Sequence, residues 1–430
     1  MGLHLYTRSW EGPLQGRTGQ AWQESRALLD DAGACGAAIA RHQAGNPLPA
    51  FARERPDVAG LAAKLRLAEG KAHVVVVGNG GSIRNVWALY RALAEGKAPR
   101  QLHLLDGTDP SGLFGELLSG KGRFSPSNTL VVPVSKSGNT ENVVQESEIL
   151  LERGYPMIAV ISSGKSKLAA LVEGKGLDRF PHPDEVGGRY TAGQNNALLP
   201  LALVEGRDAN ARRLDAAFAA AHARMAPSVP AARNVAKALA LELWRAELAG
   251  YAELFLPIYC KALGGLGELI VQLVHESYCK EGKGHTVVYA EAPESQHHTN
   301  QRYFGGRANM AGLTIRVGGF ETDPPIKEGV SSGDFLDLEH AGVVAEAERR
   351  GNPHMVLTLD ALTPEDVAGA TALWQWAAVY GGVLRGVNPF DQPAVEGSKQ
   401  TTIEMFERFG PPIRKQLARF KDEAAVRLET

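Results

Sequence analysis

His73-Val74-Val75-Val76-Val77-Gly78-Asn79-Gly80-Gly81-Ser82 is the stretch on which the fold turns. Four consecutive valines are apolar and β-branched, as expected of a strand buried on both faces. The glycines after them let the chain turn sharply and let backbone approach a ligand closely. Ile83 to Glu95 then has helical composition. A strand, a glycine-rich turn and a helix in direct succession leave free N–H groups and the positive dipole end at the turn, which suits an anion. Ser82 adds a hydroxyl donor. A tight turn with no ligand is the plain alternative. A nucleotide fold is a rival, although the spacing is neither GxGxxG nor a P-loop.

Working outward, short apolar runs follow at Leu102–Leu105, Thr129–Val134 and Met157–Ile161, with helical stretches at Ile83–Glu95 and Glu141–Arg153. Strands alternating with helices predict a parallel sheet covered by helices. A helical region spans Asp208 to Ala249. The alternation then resumes with strand candidates Glu253–Tyr259, Thr286–Tyr289, Leu313–Val317 and Met355–Leu359. Leu263–Tyr278 and Pro364–Leu384 read as helices. The expected fold class is therefore α/β, with two parallel-sheet units and helical ends. The divisions fall at 1–70 (helical and polar), 71–207, 208–390 and 391–430 (charged, amphipathic, closing).

The composition agrees. The chain has 430 residues, and 46 basic against 48 acidic residues give a net charge of 46 − 48 = −2. With 44% hydrophobic and 22% charged residues it is neither disordered, collagenous nor a disulfide framework. Near-zero charge supplies no bulk attraction to nucleic acid or anionic membrane. Cys35, Cys260 and Cys279 have no CxxC spacing and suit a reducing cytoplasm. The N-terminus has no signal-peptide pattern. Val367 to Leu384 carries no charge, yet it holds Gln375 and has Trp374-Gln375-Trp376 at its centre. A membrane span places aromatics at its ends, so this run reads as a helix buried in a core.

The third strand runs into Ser135-Lys136-Ser137-Gly138-Asn139-Thr140-Glu141. Three hydroxyls and a lysine sit at the carboxyl end of a parallel strand, where open α/β sheets bind ligands. An N-capped turn accounts for Asn139 and Thr140 but not for the Ser-Lys-Ser cluster. Two such loops on one sheet reinforce the reading of a phosphate site.

GNGGS followed by SKSGNTE resembles the sugar isomerase (SIS) domain. From about Lys71 to Lys399, with five motifs in order, the chain resembles the glucose-6-phosphate isomerase family. The resemblance implies two SIS-like domains. It makes Ser135, Lys136, Ser137 and Thr140 the phosphate ligands and places Gly81 and Ser82 along the sugar. Gly187-Gly188-Arg189-Tyr190-Thr191 resembles the GGRF/YS signature, with Arg189 stabilising the enediolate. Gln272, Glu276 and Ser277 match Q-x-x-x-E-S. Gln272 and Glu276 share a helix face, and Glu276 becomes the base that moves a proton between C1 and C2. Cys279 stands where the family usually has a glycine, and we read it as a packing change. Gln296-His297-His298 to Gln301 matches QHxxxQ and selects His297 for ring opening. Asn388 to Lys399 matches NPFDQPGVExxK, so Lys399 assists ring opening and Gln392 orders the site.

The family's activity is reversible aldose–ketose isomerisation of glucose 6-phosphate and fructose 6-phosphate through a cis-enediolate, with no cofactor and no metal. The implied partners are an anionic hexose and a second subunit in a homodimer, whose His297 is the one expected to cross. Departures gather near Gln194-Asn195-Asn196 and at Arg302. They leave room for mannose 6-phosphate or a 6-sulfonated sugar such as sulfoquinovose. A non-catalytic SIS sensor would need only the phosphate loops, whereas all four catalytic positions are present.

Overall fold

The computed structural model describes residues 2–7, 10, 14–17, 19–120 and 122–409. It falls into two compact units, Met1–Pro389 and Phe390–Thr430. The closing segment past residue 409 lies outside the described residues.

The strands are β1 (Leu3–Tyr6), β2 (His73–Val77), β3 (Gln101–Leu105), β4 (Thr129–Ser135), β5 (Ile158–Ile161), β6 (Asp178–Pro181), β7 (Glu253–Tyr259), β8 (Thr286–Glu291), β9 (Met310–Val317), β10 (Pro325–Lys327), β11 (Val330–Ser331) and β12 (His354–Leu359). The first sheet has the order β3-β2-β4-β5-β6 and is parallel throughout. Val74 to Val77 are fully buried, as a strand covered on both faces requires. The chain steps from β2 to β3 on one side, then returns to place β4 on the other. The reversal lies between β2 and β4. It opens a crevice at the carboxyl ends of these two strands, where the glycine-rich and Ser-Lys-Ser loops emerge.

The second sheet has the order β1-β12-β9-β7-β8, parallel except for β1, which pairs antiparallel with β12. The N-terminal segment thus carries a strand as well as helices. Both β1 and β6 are four-residue edge strands whose identity comes from a neighbouring strand. A small hairpin joins β10 to β11.

The two sheets meet through helices Gly81–Leu93 and Gly264–Tyr278, which pack antiparallel. Gly80 faces Gln272 at one end and Arg91 faces Gly264 at the other. Arg84 pairs with Glu268 between them. A Cβ on Gly265 would lie 2.9 Å from the Trp87 carbonyl oxygen and the Ala88 Cα. The backbones are therefore close enough to demand glycine. Helix Pro364–Arg385 is buried along almost its whole length, as the uncharged run Val367–Leu384 within it predicts. Gln375 Nε2 donates to the Tyr190 carbonyl at 2.9 Å, and Trp376 Nε1 to His222 at 3.2 Å. Among the described residues no helix is long and apolar enough to cross a membrane.

In the second unit, helix Pro393–Phe409 carries Lys399, whose Nζ lies 3.1 Å from Glu396 Oε1. Gln392 precedes the helix, and its carbonyl accepts from Val395 N–H at 3.1 Å.

Candidate active site

The loop Ser135–Thr140 is shaped by its own hydroxyls. Ser135 Oγ accepts the Gly138 N–H at 3.0 Å, and Ser137 Oγ accepts the Asn139 N–H at 3.2 Å. Gly138 has φ of +62°, a left-handed conformation suited to glycine. Thr140 is the N-cap of helix Glu141–Glu152, but its hydroxyl does not cap it. It lies 3.2 Å from Ser135 Oγ instead. The first turn of that helix thus has no hydrogen bond from an N-cap side chain, and uncapped N–H groups at a helix start suit an anion. Burial pulls the Lys136 ammonium below the usual lysine range, and the carboxylates of Asp184, Glu54 and Glu185 oppose that shift.

The glycine-rich loop is held against the arginine turn. A Cβ on Gly81 would lie 2.2 Å from Arg189 N and 2.2 Å from Gly188 C, so two backbones touch here. Asn85 fastens the contact. Its Nδ2 shares two N–H protons among the Gly188 carbonyl at 2.8 Å, the Gly81 carbonyl at 2.5 Å and Thr191 Oγ1 at 3.2 Å. Sequence reasoning missed Asn85. Its signal was an amide one helical turn beyond Gly81, on a face otherwise apolar. Ser82 is the second residue of the same helix.

Arg189 is buried, and Glu276 keeps 22% of its side chain exposed. Arg189 Nη1 donates to Glu276 Oε2 at 3.1 Å, and Gln272 Nε2 donates to Glu276 Oε1 at 2.9 Å. Each carboxylate oxygen thus has a fixed donor. Gln272 also lies against the glycine-rich loop, because a Cβ on Gly80 would be 3.0 Å from its Nε2. Gly80, Gly81, Arg189, Gln272 and Glu276 therefore form one cluster beside the crevice.

His297 is not part of that cluster. Val287 N–H donates to His275 Nε2 at 3.1 Å, which fixes the Glu276 end of its helix at the start of β8. His297 follows the far end of β8 in a short 3-10 turn and is exposed. Six strand residues span about 17 Å at ~3.3 Å each. Within one chain the two groups stand at opposite ends of the strand. His298 is engaged by Glu294 Oε2 at 2.7 Å and Thr299 Oγ1 at 2.6 Å.

The polar departures turn out to be structural. Arg302 Nη2 donates to Glu253 Oε2 at 2.8 Å and Asn309 Oδ1 at 2.6 Å, and Nη1 to the Arg307 carbonyl at 2.9 Å. Gln194 reaches the Glu54 carbonyl at 3.1 Å and Asn195 the Pro181 carbonyl at 2.8 Å. Asn196 donates to Thr191 Oγ1 at 2.7 Å. These amides are buried and satisfy backbone and hydroxyl groups, which gives the departures a structural role. Cys279 Sγ–H donates to the His285 carbonyl at 3.3 Å, and burial pushes its thiol up to about 11. It stays a thiol and packs, as expected.

No family model matches the chain. It is 29% identical over 404 residues to the glucose-6-phosphate isomerase of Rubrobacter xylanophilus, covering 85% of this chain and 90% of that one. It is 30% identical to the probable glucose-6-phosphate isomerase of Haloarcula marismortui, covering 76% and 77%. Cyanobacterial relatives are longer, and the chain spans about two thirds of their length. A crystal structure of a glucose-6-phosphate isomerase from Chlamydia trachomatis matches with a TM-score of 0.78 at 20% identity, covering 98% of this chain and 92% of that one. That last likeness speaks to the fold.

Proposed function

The chain belongs to the glucose-6-phosphate isomerase family, and we propose the mechanism by which its site serves that reaction. The protein interconverts glucose 6-phosphate and fructose 6-phosphate, an aldose–ketose isomerisation. The observation that carries the reading is Glu276, with one carboxylate oxygen on Arg189 and the other on Gln272, beside two glycine-turned loops.

Ser135, Lys136, Ser137 and Thr140 anchor the phosphate, with the helix N–H groups behind them. Gly81 and Ser82 line the sugar. Holding the phosphate fixes the reacting carbons without touching them, so remote binding energy supports kcat. Glu276 takes the C2 proton and returns it to C1. The neighbouring carbonyl acidifies that proton, and the negative charge that develops on the enediolate oxygens falls beside the Arg189 guanidinium. A fixed cation there stabilises the transition state more than the ground state.

Ring opening is assigned to His297 and Lys399 through their motifs, with Gln392 ordering the site. The separation of His297 from Glu276 along β8 supports a homodimer in which His297 serves the partner's site. Three free cysteines fit a reducing, cytoplasmic setting. The experiment is kcat/KM for glucose 6-phosphate, mannose 6-phosphate and sulfoquinovose. Glucose 6-phosphate should have the highest kcat/KM of the three. Comparable kcat/KM for sulfoquinovose would reject the phosphate assignment.

A further inference from the structure

We propose that Ser277 and Tyr190 are positioning residues that aim the Arg189 guanidinium through a one-way chain of hydrogen bonds ending on the Pro389 carbonyl. The proposal rests on the reading of Arg189 as the enediolate's cation.

The contacts close into a ring. Arg189 Nε lies 2.9 Å from Ser277 Oγ, which lies 2.8 Å from Tyr190 Oη. Tyr190 Oη lies 2.9 Å from the Pro389 oxygen, and Arg189 Nη2 lies 2.6 Å from the same oxygen. Proton counting sets the direction. A guanidinium only donates and a carbonyl only accepts, while each hydroxyl has one proton. Tyr190 must spend its proton on Pro389, so Ser277 donates to Tyr190 and Arg189 Nε–H donates to Ser277. Burial raises the Tyr190 hydroxyl above the ordinary tyrosine range, so it keeps that proton.

Two further features make this a device for aim. Ser277 follows Glu276 directly, so one helix carries both the base and the hydroxyl that turns the arginine. The Tyr190 ring is stacked on Phe51 at 5.0 Å, with planes 10° apart, so its hydroxyl cannot swing away. Lys283 donates to the Arg385 carbonyl at 2.9 Å and Lys280 to that of Asn388, holding the turn that presents Pro389. Buried side chains in a fully satisfied network act as a unit.

Tyr190→Phe, Ser277→Ala, the double variant and Arg189→Ala test this by steady-state kinetics per folded enzyme. The ring stack survives in Tyr190→Phe, so the variant removes only the hydroxyl. Each single variant should lose kcat by about tenfold while KM stays within about twofold, because aim matters most in the transition state. Tyr190 also hydrogen-bonds Arg189 directly, so both hydroxyls belong to one network around the guanidinium, and the double variant should lose less than the product of the two single losses. Unchanged kcat in both singles, a rise in KM alone, or additive losses would overturn the relay. With Arg189→Ala inactive, such a result would leave the arginine's own role standing. A fully active Arg189→Ala would overturn both.

Discussion

Glu276 and Arg189 meet at 3.1 Å, with the arginine buried and the glutamate open to the crevice. Arg189 is 87 residues earlier in the chain, on a turn pressed against the first sheet's glycine-rich loop. Glu276 is on a helix of the second sheet unit. The proposed base and the proposed cation are thus brought together by the packing of two α/β units, and small changes at that seam should be felt in the chemistry.

Gly81→Ala probes the seam directly. The added Cβ would lie 2.2 Å from the Gly188–Arg189 peptide, which is backbone and cannot rotate aside. The loop and the arginine turn must separate. A displacement of roughly 1 Å in a catalytic group costs about a hundredfold in rate. The variant should lose about that much kcat/KM, measured by coupled assay, and melt at a lower temperature. Wild-type kinetics would show that the contact does not set the arginine.

Glu146 sets a pH dependence of stability. It is fully buried on helix Glu141–Glu152, and both carboxyl oxygens lack hydrogen-bond partners. Burial, helped by the Asp106 charge, raises it from 4.5 to about 7. Between those values the native chain holds a proton that the unfolded chain has released. Stability therefore falls as pH rises through that window, and the full penalty is present above about 7. Glu146→Gln should gain on the order of 1–3 kcal/mol over wild type at pH 8, and little at pH 4.5. Denaturant unfolding at both pH values measures this. Equal gains at both would remove the titration of Glu146 as the cause.

His297 and Glu276 offer a test of the shared site. If the histidine crosses to the partner, a mixed dimer of His297→Ala and Glu276→Gln chains has one intact site and one doubly broken site. Equal mixing after denaturation and refolding should restore about a quarter of wild-type activity, since half the dimers are mixed and half their sites intact. No recovery would place both groups in one chain's site.

Most of the α/β order was legible because buried parallel strands announce themselves. The run of valines at β2 and the apolar β7 and β9 needed no tertiary information. Edge strands did not: Asp178–Pro181 is polar and contains proline, and becomes a strand only by pairing with β5. The candidate site was legible where chemistry demands particular residues in a short span, as in Ser135–Thr140 and Gln272–Glu276. Asn85, Ser277 and Tyr190 act across about ninety or more residues of sequence, through bonds that no local pattern encodes. The sequence leaves Gln194–Asn196 and Arg302 open. Polar side chains beside a signature look like ligand contacts, but here they satisfy buried backbone groups and an ion pair.

The central claim is that Glu276 moves the substrate proton, and Glu276→Gln tests it with the least disturbance. Glutamine keeps the shape and an acceptor for Arg189 but cannot take a proton. The measurement is turnover, together with solvent deuterium incorporation at C1 and C2 of the hexose phosphate. A general base contributes about 10²–10⁴-fold. The prediction is a loss of at least about a thousandfold in both readouts, with glucose 6-phosphate still bound. Turnover and deuterium incorporation close to wild type would contradict the account.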